Sequence, residues 1–234
     1  CQLIRAGLND TYLVTDNLNK YICRIYSLNW RTQIEITEEI RLLHELNRNN
    51  IPVSYALPDK KDNYIQTLNA PEGNRFAVLF TYAKGEKLHN VSEAIHFKIG
   101  VLMASLHQVT YNQQLNRVHY TPEIILVDSL EQIARFLSAG TEEMRFMQST
   151  QKQLLQEFLK ADTAEIRMGI VHLHFWFDNL NITKDNLVTI FDLDFCGNGR
   201  LCLDIAYYIL HLHNVEKYEE KKYLIKIWFS EKIQ

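Results

Sequence analysis

Alternating apolar and polar positions in the first third of the chain predict a small antiparallel sheet. Residues 11–15 and 21–26 are rich in aromatic and β-branched side chains, and the turn-forming cluster 16–19 separates them. This arrangement predicts a β-hairpin. Two further strand-like segments, 64–68 and 76–82, are joined by a short stretch that contains proline and glycine. The first part of the chain is therefore expected to be rich in strands.

Apolar residues spaced three to four apart predict one helix between these strands and several after them. The first helical stretch covers residues 36–46. Ser92 and Ser129 stand where N-caps are expected, each directly before a new run of helical periodicity. A charge-rich helical stretch follows over 142–160, and the last one begins at 203–212. The second part of the chain is therefore expected to be mainly helical.

Short strand signals return inside this helical part. Residues 180–183 and 187–191 flank the turn-forming pair Asp185-Asn186, which predicts a second, smaller hairpin. We therefore expect an α+β protein with two lobes: an antiparallel sheet lobe with one helix at 1–82, and a larger helical lobe at 83–234. The charged segment 216–226 is expected to be a solvated helix face.

Composition removes several classes of function. The 25 basic and 28 acidic residues give a net charge of −3, and no basic stripe suited to a nucleic acid is visible. No apolar run approaches the ~20 residues that cross a bilayer, so no membrane partner is expected. The four cysteines form no C-x-x-C pair or zinc pattern. These features favour a cytoplasmic protein.

The chemically informative segment is 169–206. It contains His172, Asn179, Asp192 and Asp204, with the predicted hairpin between Asn179 and Asp192. One hairpin thus brings together an amide and a carboxylate, the hard oxygen ligands that Mg²⁺ prefers when it also contacts nucleotide phosphates. Phosphoryl transfer depends mainly on positioning and on neutralising charge, so this pair suits that chemistry.

This segment resembles the aminoglycoside phosphotransferase, choline kinase and homoserine kinase-like family of small-molecule kinases. The family string is His-Gly-Asp, four residues, Asn, a strand with Ile-Asp-Phe-Asp, then Gly and Asp-Leu-Ala. The corresponding residues here are His172-Leu173-His174, Asn179, Phe191-Asp192-Leu193-Asp194, Gly197 and Asp204-Ile205-Ala206. The order and spacing match without a gap. A helical pattern at 102–107 also matches the family, so the resemblance covers nearly the whole chain.

The resemblance implies a two-lobe protein-kinase-like fold with ATP and Mg²⁺ in the cleft, and transfer of phosphate to a hydroxyl of a small molecule. Residues 7–14 resemble the loop and strand that cover the phosphates. The implied cofactor contacts are Arg24 for the phosphates, Glu39 as its ion-pair partner, Phe80 and Tyr82 beside adenine, and Asn179 and Asp192 for Mg²⁺. Two alternatives stay open: Arg24 is an ordinary exposed strand residue, or Glu38 takes the place of Glu39.

One position departs from the family. The catalytic aspartate that orients the acceptor hydroxyl and accepts its proton is His174 here, and the neighbouring glycine is Leu173. Histidine is a competent base near neutral pH, but it is bulkier and offers no carboxylate to Mg²⁺. Three readings follow: an active kinase that uses His174, a weakened or repurposed kinase, and a pseudokinase that acts as a binding or scaffold protein.

Neighbouring polar residues also have two readings each. The resemblance gives His172 a bracing role and Asp204 a hydrogen-bonding role in the catalytic loop. Asp194 is either a second metal neighbour or a solvated or turn-capping group, and Asp178 is a poor candidate for a replacement base. At least one ring of 175–177 is expected in the core. The chain is shorter than most such kinases, which fits a trimmed chain or a reduced fold. Neither the acceptor nor the oligomeric state can be read from the sequence.

Overall fold

An antiparallel sheet of six strands dominates the first 81 residues of the computed structural model, which describes residues 1–215. Its strands are β1 (Gln2–Arg5), β2 (Asn9–Thr15), β3 (Lys20–Tyr26), β4 (Ala56–Leu57), β5 (Ile65–Ala70) and β6 (Gly73–Thr81). The order is β1-β2-β3-β6-β4, and β5 also pairs with β6. The predicted β2–β3 hairpin is confirmed, and the other two predicted strands are β5 and β6, which pair with each other. The strands β1 and β4 were not predicted, because four and two residues carry too little periodicity.

The single helix of this region, α1 (Gln33–Arg48), covers one face of the sheet. Thr32 begins it with a capping box, in which its side chain accepts from the Glu35 N–H and the Glu35 side chain accepts from the Thr32 N–H. The apolar positions predicted from the spacing are buried, from Ile36 to Leu46. Glu39 is the exception, a carboxylate buried on the same face.

The helical part contains α2 (Glu93–Thr110), α3 (Ser129–Ile133), α4 (Glu142–Lys160) and α5 (Cys202–Val215). One prediction is wrong here. A π-helical segment, Glu123–Asp128, runs directly into α3, so Ser129 is not an N-cap. Its hydroxyl donates instead to the carbonyl of Ile124, 3.0 Å away. The expected helical face at 216–226 lies outside the described residues.

Two small antiparallel pairs lie between these helices. The predicted hairpin is confirmed as β8 (Leu180–Ile182) with β9 (Val188–Ile190). The second pair, β7 (Met168–Val171) with β10 (Gly197–Arg200), joins segments 26 or more positions apart and was not predicted. The β7–β10 pair closes the loop that contains the β8–β9 hairpin. The α+β fold with an antiparallel sheet followed by helices is therefore as predicted.

The sheet and the helical part share one hydrophobic core. Val53, just before β4, bridges to Ile190 in β9, and the buried rings of Phe175, Phe177 and Tyr208 extend the same cluster. Gly85 lies where the chain passes between the two parts. Its φ is +102°, and a Cβ there would lie 2.5 Å from the Ile182 backbone, so only glycine fits.

No helix among residues 1–215 combines the length and the apolar character that a membrane crossing needs.

Candidate active site

A cavity of about 570 Å³ opens between the sheet and the β8–β9 hairpin. Its wall includes all seven residues predicted for the site: Arg24, Glu39, Phe80, Tyr82, His174, Asn179 and Asp192. Four of them come from the first 82 residues and three from the segment 169–206. The fold therefore brings together groups that are up to 168 positions apart in the chain.

Arg24 occupies the floor of this cavity. Its guanidinium donates to Glu39 at 2.9 Å and to Asp192 at 2.8 Å, and it lies 5.0 Å from the centre of the Phe80 ring. Only 9% of Arg24 is exposed, which excludes the reading of an ordinary surface residue. The partner on α1 is Glu39 and not Glu38, whose carboxylate binds Arg41 at 2.9 Å.

The ion pair is buried, and its electrostatics reflect this. Burial opposes the charge on Arg24, but the carboxylates of Asp192 and Glu39 raise its pKa well above the ordinary value. Burial also raises the pKa of Glu39, and the Arg24 guanidinium opposes that rise. The hydroxyl of Tyr26 donates to the second oxygen of Glu39 at 3.1 Å. Glu39 is thus held on both oxygens, as a buried carboxylate must be.

The β8–β9 hairpin places Asn179 beside Asp192. The Phe191 N–H donates to the Asn179 carbonyl at 3.0 Å. Asp192 is the residue after Phe191 and therefore lies next to Asn179. The Asn179 side chain uses its amide nitrogen on the His174 carbonyl, 2.9 Å away, which leaves its oxygen for another partner. Asp192 uses one oxygen on Arg24, and its side chain keeps 37% exposure.

These two side chains offer one amide oxygen and one carboxylate. Among residues 1–215 no cluster of three or more histidine, cysteine or acidic side chains could hold a metal by itself. Mg²⁺ in nucleotide sites needs only one or two protein carboxylates, because phosphates and water complete its six ligands. The donor set of Asn179 and Asp192 fits such an ion when a nucleotide is present.

Asp204 supports the loop that carries His174. Its carboxylate accepts from the backbone N–H groups of His172 and Leu173, at 3.0 and 2.6 Å, and from the His107 ring at 2.9 Å. Burial would raise its pKa, but these hydrogen bonds keep the pKa below the ordinary value. His172 is also buried, and its ring meets the Phe191 carbonyl at 3.3 Å. The bracing expected for these two residues agrees with this geometry.

Leu173 adopts a left-handed conformation, with φ at +60°. Such a conformation is strained for a residue with a Cβ, and the family has glycine at this position. The Asp204 carboxylate accepts from the N–H groups of His172 and Leu173 and holds this turn in place. Asp192 is left-handed as well, with φ at +64°. Both turns that carry the site therefore contain a left-handed residue.

His174 is half-buried among aromatic rings. Its ring centre lies 6.0 Å from Trp176, 5.3 Å from Phe195 and 5.6 Å from Tyr207. Burial lowers its pKa below the ordinary 6.5, and Asp192 opposes this shift. The ring is therefore neutral at pH 7. Its Nδ1 is buried without a hydrogen-bond partner.

Asp194 is buried and held by several donors. It is 2% exposed, which rules out a solvated turn residue. Its carboxylate accepts from Trp30 Nε1 at 2.7 Å, from Arg31 Nε at 3.0 Å and from Asn9 Nδ2 at 3.2 Å. Its carbonyl accepts from Arg31 and also from Arg117. With these partners Asp194 ties the sheet to the β9–β10 connection and has little capacity left for a metal.

Sequence reasoning missed Trp30, Arg31 and Arg117. Their long separation from Asp194, between 77 and 164 positions, leaves no local pattern to find. Asp178, a poor candidate for a base from the sequence, pairs with His89 at 2.7 Å. In the aromatic run 175–177, the two outer rings are core residues and the central one is partly exposed.

The geometry of this site agrees with a family comparison. Residues 1–220 match the model of the phosphotransferase enzyme family known as APH. The chain therefore belongs to the APH phosphotransferase family, as its catalytic-loop string indicated.

Individual relatives and structures support the same assignment. The chain is 33% identical over 216 residues to the uncharacterized protein sll1119 of Synechocystis sp.. It is similar in fold to a microcompartment-associated aminopropanol kinase (TM-score 0.81, 20% identity, 99% of this chain and 75% of the other). It is also similar to amicoumacin kinase hAmiN in complex with AMP-PNP, Ca²⁺ and Ami (TM-score 0.82, 18% identity, 99% and 71%). These two structures show the protein-kinase-like fold.

The chain spans about 60% of the length of the curated relatives that it matches. For sll1119 the match covers 89% of this chain and 59% of the relative.

Proposed function

We propose that this protein transfers the γ-phosphoryl group of ATP to a hydroxyl group of a small molecule. The observation that carries this proposal is the position of Arg24, held between Glu39 and Asp192 on the floor of a cavity large enough for a nucleotide. A buried cation fixed in this way is preorganised for phosphate oxygens. The structural neighbour hAmiN, which was solved with AMP-PNP, supports the choice of nucleotide.

The chain's own residues have distinct roles in this proposal. Phe80 and Tyr82 form the apolar end of the cavity where the base binds, and Arg24 binds phosphate oxygens with Glu39 fixing its orientation. Asn179 and Asp192 hold Mg²⁺, which would neutralise the charge that develops on the phosphates. Displacing Arg24 from one Asp192 oxygen frees that carboxylate, so binding of the nucleotide and exposure of the metal ligand are coupled.

His174 takes the role of the general base in this proposal. It lines the same cavity as Asp192, and burial lowers its pKa, which favours the neutral form that accepts a proton. In this role it removes the proton from the acceptor hydroxyl as the hydroxyl oxygen attacks the γ-phosphorus. The bond from this phosphorus to the bridging oxygen breaks, and ADP leaves with the electron pair.

The acceptor is a small molecule with a free hydroxyl group. Aminoglycosides, amino alcohols and hydroxy-amino acids all remain candidates. The structural neighbours that are named as kinases of aminopropanol and amicoumacin support the general class. A panel of such alcohols with ATP and Mg²⁺, assayed by ADP release, tests the proposal.

A specific observation also favours a second candidate, a pseudokinase that binds ligands or partners without turnover. The histidine that replaces aspartate has a buried Nδ1 without a partner and is packed against three aromatic rings. A ring held in this way has little freedom to follow a reacting hydroxyl.

Restoring the family residue separates the two candidates. If wild type turns over and His174→Asp lowers that activity, the histidine is the working base. If wild type is inactive and His174→Asp gains turnover, the histidine is an impairment and the pseudokinase proposal stands. The control is the binding of ATP and Mg²⁺, measured as an increase in the thermal unfolding temperature, because both candidates keep the nucleotide site. Absence of nucleotide stabilisation in wild type would contradict the transferase proposal.

A further inference from the structure

A second arginine, Arg5, shares the cavity wall with Arg24. Arg5 is the last residue of β1 and lines the cavity, yet it is exposed. Within residues 1–215 it makes no ion pair with any carboxylate, unlike Arg24, Arg31 and Arg75, which are all paired. An arginine that lines a cavity and has no carboxylate partner is available to bind an anionic ligand.

A β-bulge sets the direction of this side chain. The pairing of β1 with β2 runs from Gln2↔Leu13 to Leu3↔Tyr12, and then shifts so that Arg5 lies opposite Thr11. Without the shift, Ile4 would oppose Thr11 and Arg5 would face the other side of the sheet, because side chains alternate along a strand. Bulges of this kind re-aim single side chains beside active sites.

The shifted register places Arg5 in one cross-strand row with two other cavity residues. Arg5 pairs with Thr11, and Thr11 pairs with Arg24 on the next strand. Paired residues on adjacent strands share a face, and all three residues line the cavity. Strands are ~4.8 Å apart, so the two arginine backbones are about 10 Å apart with a threonine hydroxyl between them.

The Arg5 side chain folds over the loop that leads into β2, because its Nε lies 3.5 Å from where a Cβ on Gly7 would be. From this position it lines the cavity that His174 also lines.

We propose that Arg5 binds the terminal phosphate of the nucleoside triphosphate, as a second cation in the same sheet row as Arg24. The inference rests on the proposed nucleotide site and adds to it a residue that discriminates triphosphate from diphosphate. Arg24 is buried, whereas Arg5 is exposed at the edge of the cavity. The row of Arg5, Thr11 and Arg24 continues to Val78, two residues along β6 from Phe80. The contact of Arg5 is therefore at the phosphate end, with the outermost phosphate, and not with the base.

The test compares the binding of ATP and ADP, each with Mg²⁺, to the full chain by titration calorimetry. Arg5→Gln is expected to weaken ATP binding by about ten- to a hundredfold, the effect of one charged hydrogen-bonding partner, and to leave ADP binding unchanged. Arg5→Lys should recover part of the loss, because a point charge remains. Arg48→Gln removes an arginine whose side chain is 76% exposed on α1, and should change neither affinity.

Each possible result either supports or overturns the proposed role of Arg5. Equal ATP affinities of Arg5→Gln and wild type would overturn the role of Arg5 and leave the nucleotide site intact. An equal loss for ATP and ADP would also overturn it, because the contact would then lie on the inner phosphates or in the fold. If wild type binds neither nucleotide, the proposed function fails and this inference fails with it. Unfolding midpoints without nucleotide show whether the variants remain folded.

Discussion

The Arg24 guanidinium donates to the Asp192 carboxylate at 2.8 Å although 168 positions separate the two residues. This contact joins the sheet to the turn that follows the β8–β9 hairpin. The same guanidinium is held by Glu39 on α1. Three elements therefore converge on one buried cation. Because Arg24 donates to one oxygen of Asp192, the proposed metal ligand, phosphate and metal are expected to bind together.

Removing Arg24 should lower stability as well as ligand binding. Arg24→Met leaves Glu39 buried without its cation, and we expect the free energy of unfolding to fall by about 3–5 kcal/mol. Urea denaturation measures this value. The double variant Arg24→Met with Glu39→Gln should lose less than the sum of the single variants, since the two residues are in contact. Arg48→Met is the control at an exposed position. An unfolding midpoint of Arg24→Met at the same urea concentration as wild type would contradict the prediction.

The base role of His174 predicts a pH profile. Burial lowers its pKa below 6.5, so the neutral, proton-accepting form dominates at pH 7. We expect kcat/KM to be level near neutral pH and to fall as the pH drops through this lowered pKa. His174→Ala should reduce kcat by about 10²–10⁴. A profile that is unchanged in His174→Ala, or a wild-type acid limb above pH 6.5, would argue against this role.

Asp192 and Asp194 are two residues apart but should respond differently to the same substitution. Asp192→Asn is expected to abolish the Mg²⁺-dependent part of ATP stabilisation, because it removes the carboxylate proposed for the metal. Asp194→Asn should leave that dependence intact but lower stability by about 3 kcal/mol, since it breaks the buried contact with Arg31.

Thermal unfolding with ATP, with and without Mg²⁺, distinguishes these two effects. Trp30→Phe removes one of the donors to Asp194 and keeps an aromatic ring. It should show a milder form of the Asp194→Asn behaviour. A loss of Mg²⁺ dependence in Asp194→Asn would make that residue a metal ligand and contradict the structural role given to it.

Asp204 predicts acid sensitivity. Its pKa in the folded protein is below the ordinary 3.8, through hydrogen bonds that outweigh burial. A depressed pKa contributes stability that is fully present above the unfolded value and is lost as the pH falls through the folded one. We expect the urea concentration at the unfolding midpoint of wild type to decrease as the pH is lowered below about 5. Asp204→Asn should be less stable at pH 7, and its midpoint should change less as the pH is lowered. Equal pH dependence of both proteins would contradict this prediction.

Much of the fold follows from local pattern. The β2–β3 and β8–β9 hairpins, the strands β5 and β6 and the helices α1, α2, α4 and α5 were predicted, because apolar periodicity and the turn or cap residues at their ends are local features of the sequence. The failures were the short strands β1, β4, β7 and β10 and the start of α3. Two to four residues carry no readable period, and their partners are remote in sequence.

The site divides in the same way. Asn179 and Asp192 could be paired from the sequence because one hairpin separates them, and the catalytic-loop string named His174 through its family position. Arg24 and Glu39 needed the resemblance as well, and the choice between Glu38 and Glu39 needed the tertiary structure. The side of α1 that faces Arg24 depends on how the helix is rotated against the sheet.

The sequence by itself determined the α+β class, the family, and seven side chains that could build a phosphoryl-transfer site. Only the tertiary structure decided that Asp194 is held by Trp30 and Arg31, that His174 is enclosed by aromatic rings, and that a bulge turns Arg5 into the cavity. The physical reason is the separation along the sequence over which each effect acts. Turns, caps and periodicity act over a few residues, whereas burial, charge pairing and strand register depend on segments that meet only when the chain has folded.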